Sequence, residues 1–109
     1  MTKTTFRSLG YFIVYTPRAA RPDVIYFQNE TEQDFYEIVR SAPSGDVFFM
    51  VDADGLIIGA DTDLSAIAPF DCSVIAAENG TALLSEFRAG GRRFVWTGDT
   101  IIQEPDHAV

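Results

Sequence analysis

Val24-Ile-Tyr-Phe-Gln-Asn29-Glu-Thr31 and Val74-Ile-Ala-Ala-Glu-Asn79-Gly-Thr81 share four identities in eight positions and lie fifty residues apart. Each is a short apolar run that ends on Asn and Thr, residues suited to leaving a strand and opening a helix. Beyond each run the same plan recurs. A helical pattern leads into an apolar segment that turns back on itself: Val47-Phe-Phe-Met-Val51 with Leu56-Ile-Ile58, and Phe94-Val-Trp96 with Thr100-Ile-Ile102. A recurring β-α-β-β unit predicts a scaffold in which each copy covers the other's apolar face. The expected fold class is α+β: one domain over 1–105, built of antiparallel hairpins with two short helices on one face. The repeat spans 23–60 and 72–104, and a flexible tail is expected at 106–109.

Working outward, residues 9–16 read as a first strand stopped by Pro17, and Val24 to Gln28 as a second. Thr31 is the expected N-cap of the first helix, with Asp34 three residues on as a shortened capping box. Phe35, Ile38 and Val39 then form its core stripe. Strands at Asp46–Val51 and Leu56–Ala60 flank Asp52-Ala-Asp-Gly55, where Gly supplies the positive φ of a tight turn. A helical turn at 64–68 and a strand at 73–77 follow. Asn79-Gly-Thr81 opens a second helix, which turns Leu83, Leu84 and Phe87 inward and stops at Gly90-Gly91. Strands at 93–97 and 100–104 close across Gly98-Asp99.

A chain of 109 residues, 47% hydrophobic with nine Phe and four Tyr, is long enough for one core and belongs with ordered globular proteins. Cys72 is the single cysteine, which excludes an intrachain disulfide and fits a cytoplasmic protein. The apolar run Leu9–Tyr15 is far shorter than the roughly 20 residues of a membrane-spanning helix. The net charge is −8, and no Lys or Arg occurs between Ser41 and Phe87. In that segment Asp46, Asp52, Asp54, Asp61 and Asp63 form a candidate acidic surface, with Asp71, Glu78 and Glu86 adding to the charge. Such a field repels nucleic-acid phosphates and attracts basic partners.

Phe48-Phe-Met-Val-Asp52-Ala-Asp54-Gly55 resembles the first motif of haloacid dehalogenase-like phosphotransferases. That resemblance implies Asp52 as nucleophile and Asp54 as acid/base on magnesium, with Val95-Trp-Thr-Gly98-Asp99 echoing a later acidic motif. The family's parallel sheet, however, needs crossovers of about 30 residues or more, and Lys3 is the only lysine to balance a phosphate. An Asp-Gly hairpin accounts for the same residues without chemistry. EF-hand spacing fails at Leu56, Ile57 and Asp63. With one Cys and one His (His107, in the tail), zinc sites and Ser–His–Asp hydrolysis are excluded. No cofactor is expected. Arg92, Arg93, Phe94 and Trp96 are the candidate partner-binding residues, since Trp and Arg are enriched at protein interfaces. Phe94 and Trp96 alternate as core residues also would.

Residues 47–105 also resemble small tail-fibre assembly proteins, or chaperones, of tailed bacteriophages. The features that carry this are the Asp52-Ala-Asp-Gly55 hairpin, the Leu83-Leu84 helix and the ending Gly91-Arg-Arg-Phe-Val-Trp96-Thr-Gly98. The resemblance implies a non-enzymatic role: transient binding of a tail-fibre polypeptide in the host cytoplasm, with hairpin edges and aromatic residues shielding unpaired strands. The alternative is an acidic phage-encoded inhibitor that occludes a basic site on a host protein. Both imply a protein partner, without nucleic acid or membrane, and exposed sheet edges allow a homodimer.

Overall fold

Val47-Phe-Phe-Met-Val51 and Val74-Ile-Ala-Ala77 are apolar at both parities, so these strands require cover on two faces. A computed structural model, which describes residues 3–105, shows how they obtain it. The elements in order are β1 (Thr5–Tyr15), β2 (Tyr26–Gln28), α1 (Phe35–Arg40), β3 (Val47–Val51), β4 (Ile57–Asp61), a 3-10 turn (Leu64–Ala66), β5 (Cys72–Glu78), α2 (Thr81–Ala89), β6 (Arg92–Trp96) and β7 (Ile101–Pro105). The tail expected at 106–109, with His107, lies outside the described residues. The fold is antiparallel α+β, and β-α-β-β is its element order twice over. A five-stranded sheet runs β2-β1-β5-β3-β4, while β6 and β7 form a separate hairpin.

Alternate residues of β3 and β5 enter two different cores. Val47, Phe49, Val51, Ile75 and Ala77 pack with Leu84 of α2 and with Phe94 and Ile101 of the hairpin. Phe48, Val74 and Ala76 pack with Phe12, Phe27 and Phe35, beside Ile38 and Val39 of α1. The two helices therefore lie on opposite faces, not on one as expected. Strands without a polar side leave no other solution. No helix among the described residues is long and apolar enough to cross a membrane.

Strand β1 is shared by both halves of the chain. Its first part, Thr5 to Phe12, pairs with β5, and Ile13 to Tyr15 pair with β2 on the other side. A bulge between Ser8 and Gly10 interrupts the pairing with β5, which then resumes to Phe12. After β2 and after β5, the repeated Asn reaches back to the N-terminal segment: Asn29 Nδ2 donates to Leu9 O in β1 (2.9 Å) and Asn79 Nδ2 to Lys3 O just before it (3.4 Å). The first-helix cap is corrected. Asp34, in extended backbone, caps α1 by accepting from Tyr36 and Glu37 N–H. Thr31 is held instead by the Asn29 side chain, which accepts from its N–H and hydroxyl. At α2 the N-cap is Gly80, which has no side chain to offer and leaves the helix without a side-chain cap, while Asp46 accepts from Gly80 N–H at 3.0 Å.

Candidate functional site

The hairpin at the C-terminal end is governed by alternation. Thr97 N–H donates to Thr100 O across Gly98-Asp99, and the register pairs Trp96 with Ile101, Val95 with Ile102, Phe94 with Gln103 and Arg93 with Glu104. Phe94 is 1% exposed and Ile101 is buried, so this parity faces the core. Trp96 shares it, half-buried and edge-on to Phe6 at 5.7 Å. Of the four residues expected to meet a partner, Phe94 is thus unavailable in the folded chain, and Trp96 is largely spent on packing. Arg92 and Arg93 are exposed on opposite faces of β6. Arg93 pairs with Glu104 at 3.0 Å, an exposed ion pair of the kind worth at most about 1 kcal/mol.

The outward face carries different residues. Val95 and Ile102 sit side by side on it, and Val95 also forms an isolated antiparallel bridge with Leu56. Leu56, just before β4, lines up with Val95 and Ile102 of the hairpin as one apolar row, with Ile102 41% exposed. Ile58, 51% exposed, follows shortly after Leu56 on β4. Sequence reading places Phe94 and Trp96 with Arg92 and Arg93 because Trp and Arg are enriched at interfaces, although the alternation of Phe94 and Trp96 also fits a core. Val95 is set outward by the same period-two rule that buries them.

The acidic turn is stitched to this row. Trp96 N–H donates to Gly55 O at 2.8 Å, so the Asp52–Gly55 turn sits against β6. The two candidate surfaces, hairpin and acidic segment, meet there. Most of the acidic residues have local structural work. Asp52 Oδ1 accepts from Asp54 and Leu56 N–H, both at 2.9 Å, which ties its carboxylate into the turn. Asp61 accepts from Asp63 N–H, and Asp63 caps the 3-10 turn by accepting from the Ser65 hydroxyl and N–H. Those two Ser65 donors hold the Asp63 carboxyl below its usual range. Asp46 accepts from Gly80 N–H at the start of α2, and Asp54 is exposed. Strand β3 is antiparallel to both neighbours, unlike the parallel setting that the phosphotransferase motif implies. Among the described residues no three His, Cys, Asp or Glu side chains converge as metal ligands. Cys72 is buried, and desolvation with the nearby Asp71 charge pushes its thiol up to about 11. It is a core residue, as the sequence suggested.

A second concave surface, of about 420 Å³, lies at the β2 edge beside Tyr15, Tyr26, Tyr36, Arg21 and Arg40. The three rings meet edge-on. Tyr15 O–H donates to Asp34 Oδ2 at 2.5 Å and Tyr36 O–H to Ile25 O at 2.5 Å. The bond to Asp34, with lesser desolvation and charge effects, raises Tyr15 from 10.0 to about 12. A phenol whose folded pKa lies above its unfolded one stabilises the fold fully below pH 10, and that contribution fades as pH rises toward 12. Urea midpoints measured across this window should therefore fall more for the wild type than for Tyr15→Phe. Parallel curves would show that the bond contributes nothing.

No protein-family model matches the chain, and no curated protein is detectably similar to it.

Proposed function

We propose that this chain is a non-enzymatic protein-binding module, of phage or prophage origin, that assists folding or assembly of a tail-fibre polypeptide in the host cytoplasm. The origin and partner rest on the resemblance in residues 47–105. The binding role is supported by one observation above others: the outward apolar row Leu56–Val95–Ile102, bordered by the acidic turn. An apolar row that ends on an exposed isoleucine beside a strand edge suits a client whose own strands are not yet paired. The uninterrupted acidity between Ser41 and Phe87 favours the second reading, an inhibitor of a basic host protein.

Affinity capture from phage-infected lysate separates the two. A tail-fibre chain should be retained by the wild type through high-salt washing, because apolar burial is not screened. Ile102→Glu should lose it by about tenfold or more, since burying an Ile is worth about 1.5–3 kcal/mol. A basic host protein released by salt, with Ile102→Glu indistinguishable from wild type, would establish the inhibitor instead.

A further inference from the structure

We infer that the partner is taken up as an added β-strand on the free edge of β7, and that this strand alternates apolar with basic residues. The inference rests on the protein-binding reading above and specifies its chemistry.

The outer edges of the five-stranded sheet are protected in the described structure. Strand β2 is three residues long, and Asp34 bridges Gln28 on it. The part of β1 that β2 leaves uncovered carries Arg7 and the Ser8–Gly10 bulge. Strand β4 is bulged opposite Met50–Val51, ends on Asp61 and is bridged through Leu56 to β6. These are the devices by which sheets avoid unwanted pairing. Strand β7 pairs with β6 alone and has no bulge, and only its last residue, Pro105, blunts it.

The backbone groups on that edge can be assigned. Thr97 and Thr100 form the hydrogen-bonded pair that closes the turn. Bonded and non-bonded pairs alternate along an antiparallel ladder, so Val95/Ile102 and Arg93/Glu104 are bonded pairs and Trp96/Ile101 and Phe94/Gln103 are not. Trp96 confirms the phase, because its N–H leaves β6 on the far side to reach Gly55 O. By the same alternation Ile101 and Gln103 turn their N–H and C=O groups away from β6. An incoming strand finds two donors and two acceptors there, and its side chains continue the Leu56–Val95–Ile102 row on one face. Glu104 shares the row's face and is already paired with Arg93, whereas Glu86 lies beneath Gln103 on the opposite face, within a chain of net charge −8. The added strand is therefore apolar toward the row and basic at its alternate positions.

Gln103→Pro tests the main-chain role directly. It deletes an N–H that faces away from β6, so the β6–β7 ladder is kept. Gln103→Ala removes the same side chain, with its bond to Glu86, and keeps the N–H. The probe is an alternating Lys–Val octapeptide added to isotope-labelled protein, with amide exchange and shifts read at Ile101 and Gln103. In the wild type and Gln103→Ala, the Ile101 amide should shift and its exchange slow by at least tenfold. Gln103→Pro, with an unchanged melting curve, should bind at least tenfold more weakly. Equal binding by folded Gln103→Pro, or no response at Ile101 in the wild type, overturns the inference. If the lysate experiment still recovers a fibre chain, only strand addition has failed. If that experiment also recovers nothing, the protein-binding reading falls too. Should Gln103→Pro not fold, the Ile101 response in wild type and Gln103→Ala decides alone.

Discussion

Replacing Phe94 by alanine will cost about 3–5 kcal/mol, the range for removing a buried phenyl ring with incomplete collapse of the cavity. Phe94 lies between the hairpin and α2, edge-on to Phe87 at 5.5 Å, in the core it shares with Phe49, Leu84 and Ile101. A domain of this size has about 5–15 kcal/mol in all. The loss should therefore lower the melting temperature by about 12–40 °C, at roughly 4–8 °C per kcal/mol. The damage should be greatest in the hairpin, because β6 and β7 belong to no larger sheet and are fastened to the rest by the Leu56 bridge, the Trp96–Gly55 bond and this core. Amide exchange at Val95 and Ile102 should accelerate before that of β5. Ile102→Glu, on the exposed face, should stay within about 0.5 kcal/mol of wild type in the same denaturation. Were Phe94→Ala to keep full stability and lose only the partner, Phe94 would be a contact residue after all.

That contrast shows where sequence reading reached and where it stopped. Turn chemistry is local, so Asp52–Gly55 and Gly98-Asp99 announced both hairpins, and Gly90-Gly91 announced the end of α2. The Leu83, Leu84 and Phe87 stripe and the burial of Cys72 were legible for the same reason. The opposite placement of the helices was readable in principle from the unbroken apolarity of Val47–Val51 and Val74–Ala77, but the expectation of hairpins with one wet face hid it. Thr31 looked like the helix cap because no short-range rule says that Asn29 will claim its hydroxyl. The outward row was least accessible. Leu56 and Val95 are 39 positions apart, as their numbers show, and only the folded chain puts them side by side.

The same distinction between local and distant work separates the two asparagines of the repeated motif. Asn29→Ala should cost about 2–4 kcal/mol and Asn79→Ala less than about 1, since unpaired buried polar groups cost about 1–3 kcal/mol each. Asn29 is 5% exposed. Its Nδ2 donates to Leu9 O and Gln33 Oε1, both at 2.9 Å, and its Oδ1 accepts from Thr31 and Gln33 N–H. One side chain thus closes the loop after β2 and ties it to β1 at the bulge. Gly10 makes room for it: a Cβ there would lie 2.6 Å from Asn29 Cβ, and its φ of 115° suits glycine alone. Asn79 is exposed, at a φ of 60°, and its bond to Lys3 O is long at 3.4 Å. Because β2 pairs with β1 through three residues only, losing Asn29 should release β2, and with it the Tyr15–Tyr26 contact, before the rest of the sheet opens. Urea denaturation of the two alanine variants, read by tyrosine fluorescence and by exchange at Phe27, measures both effects. Equal losses would mean that the two copies use their asparagines alike, and that the clasp on β1 is not what holds β2 in place.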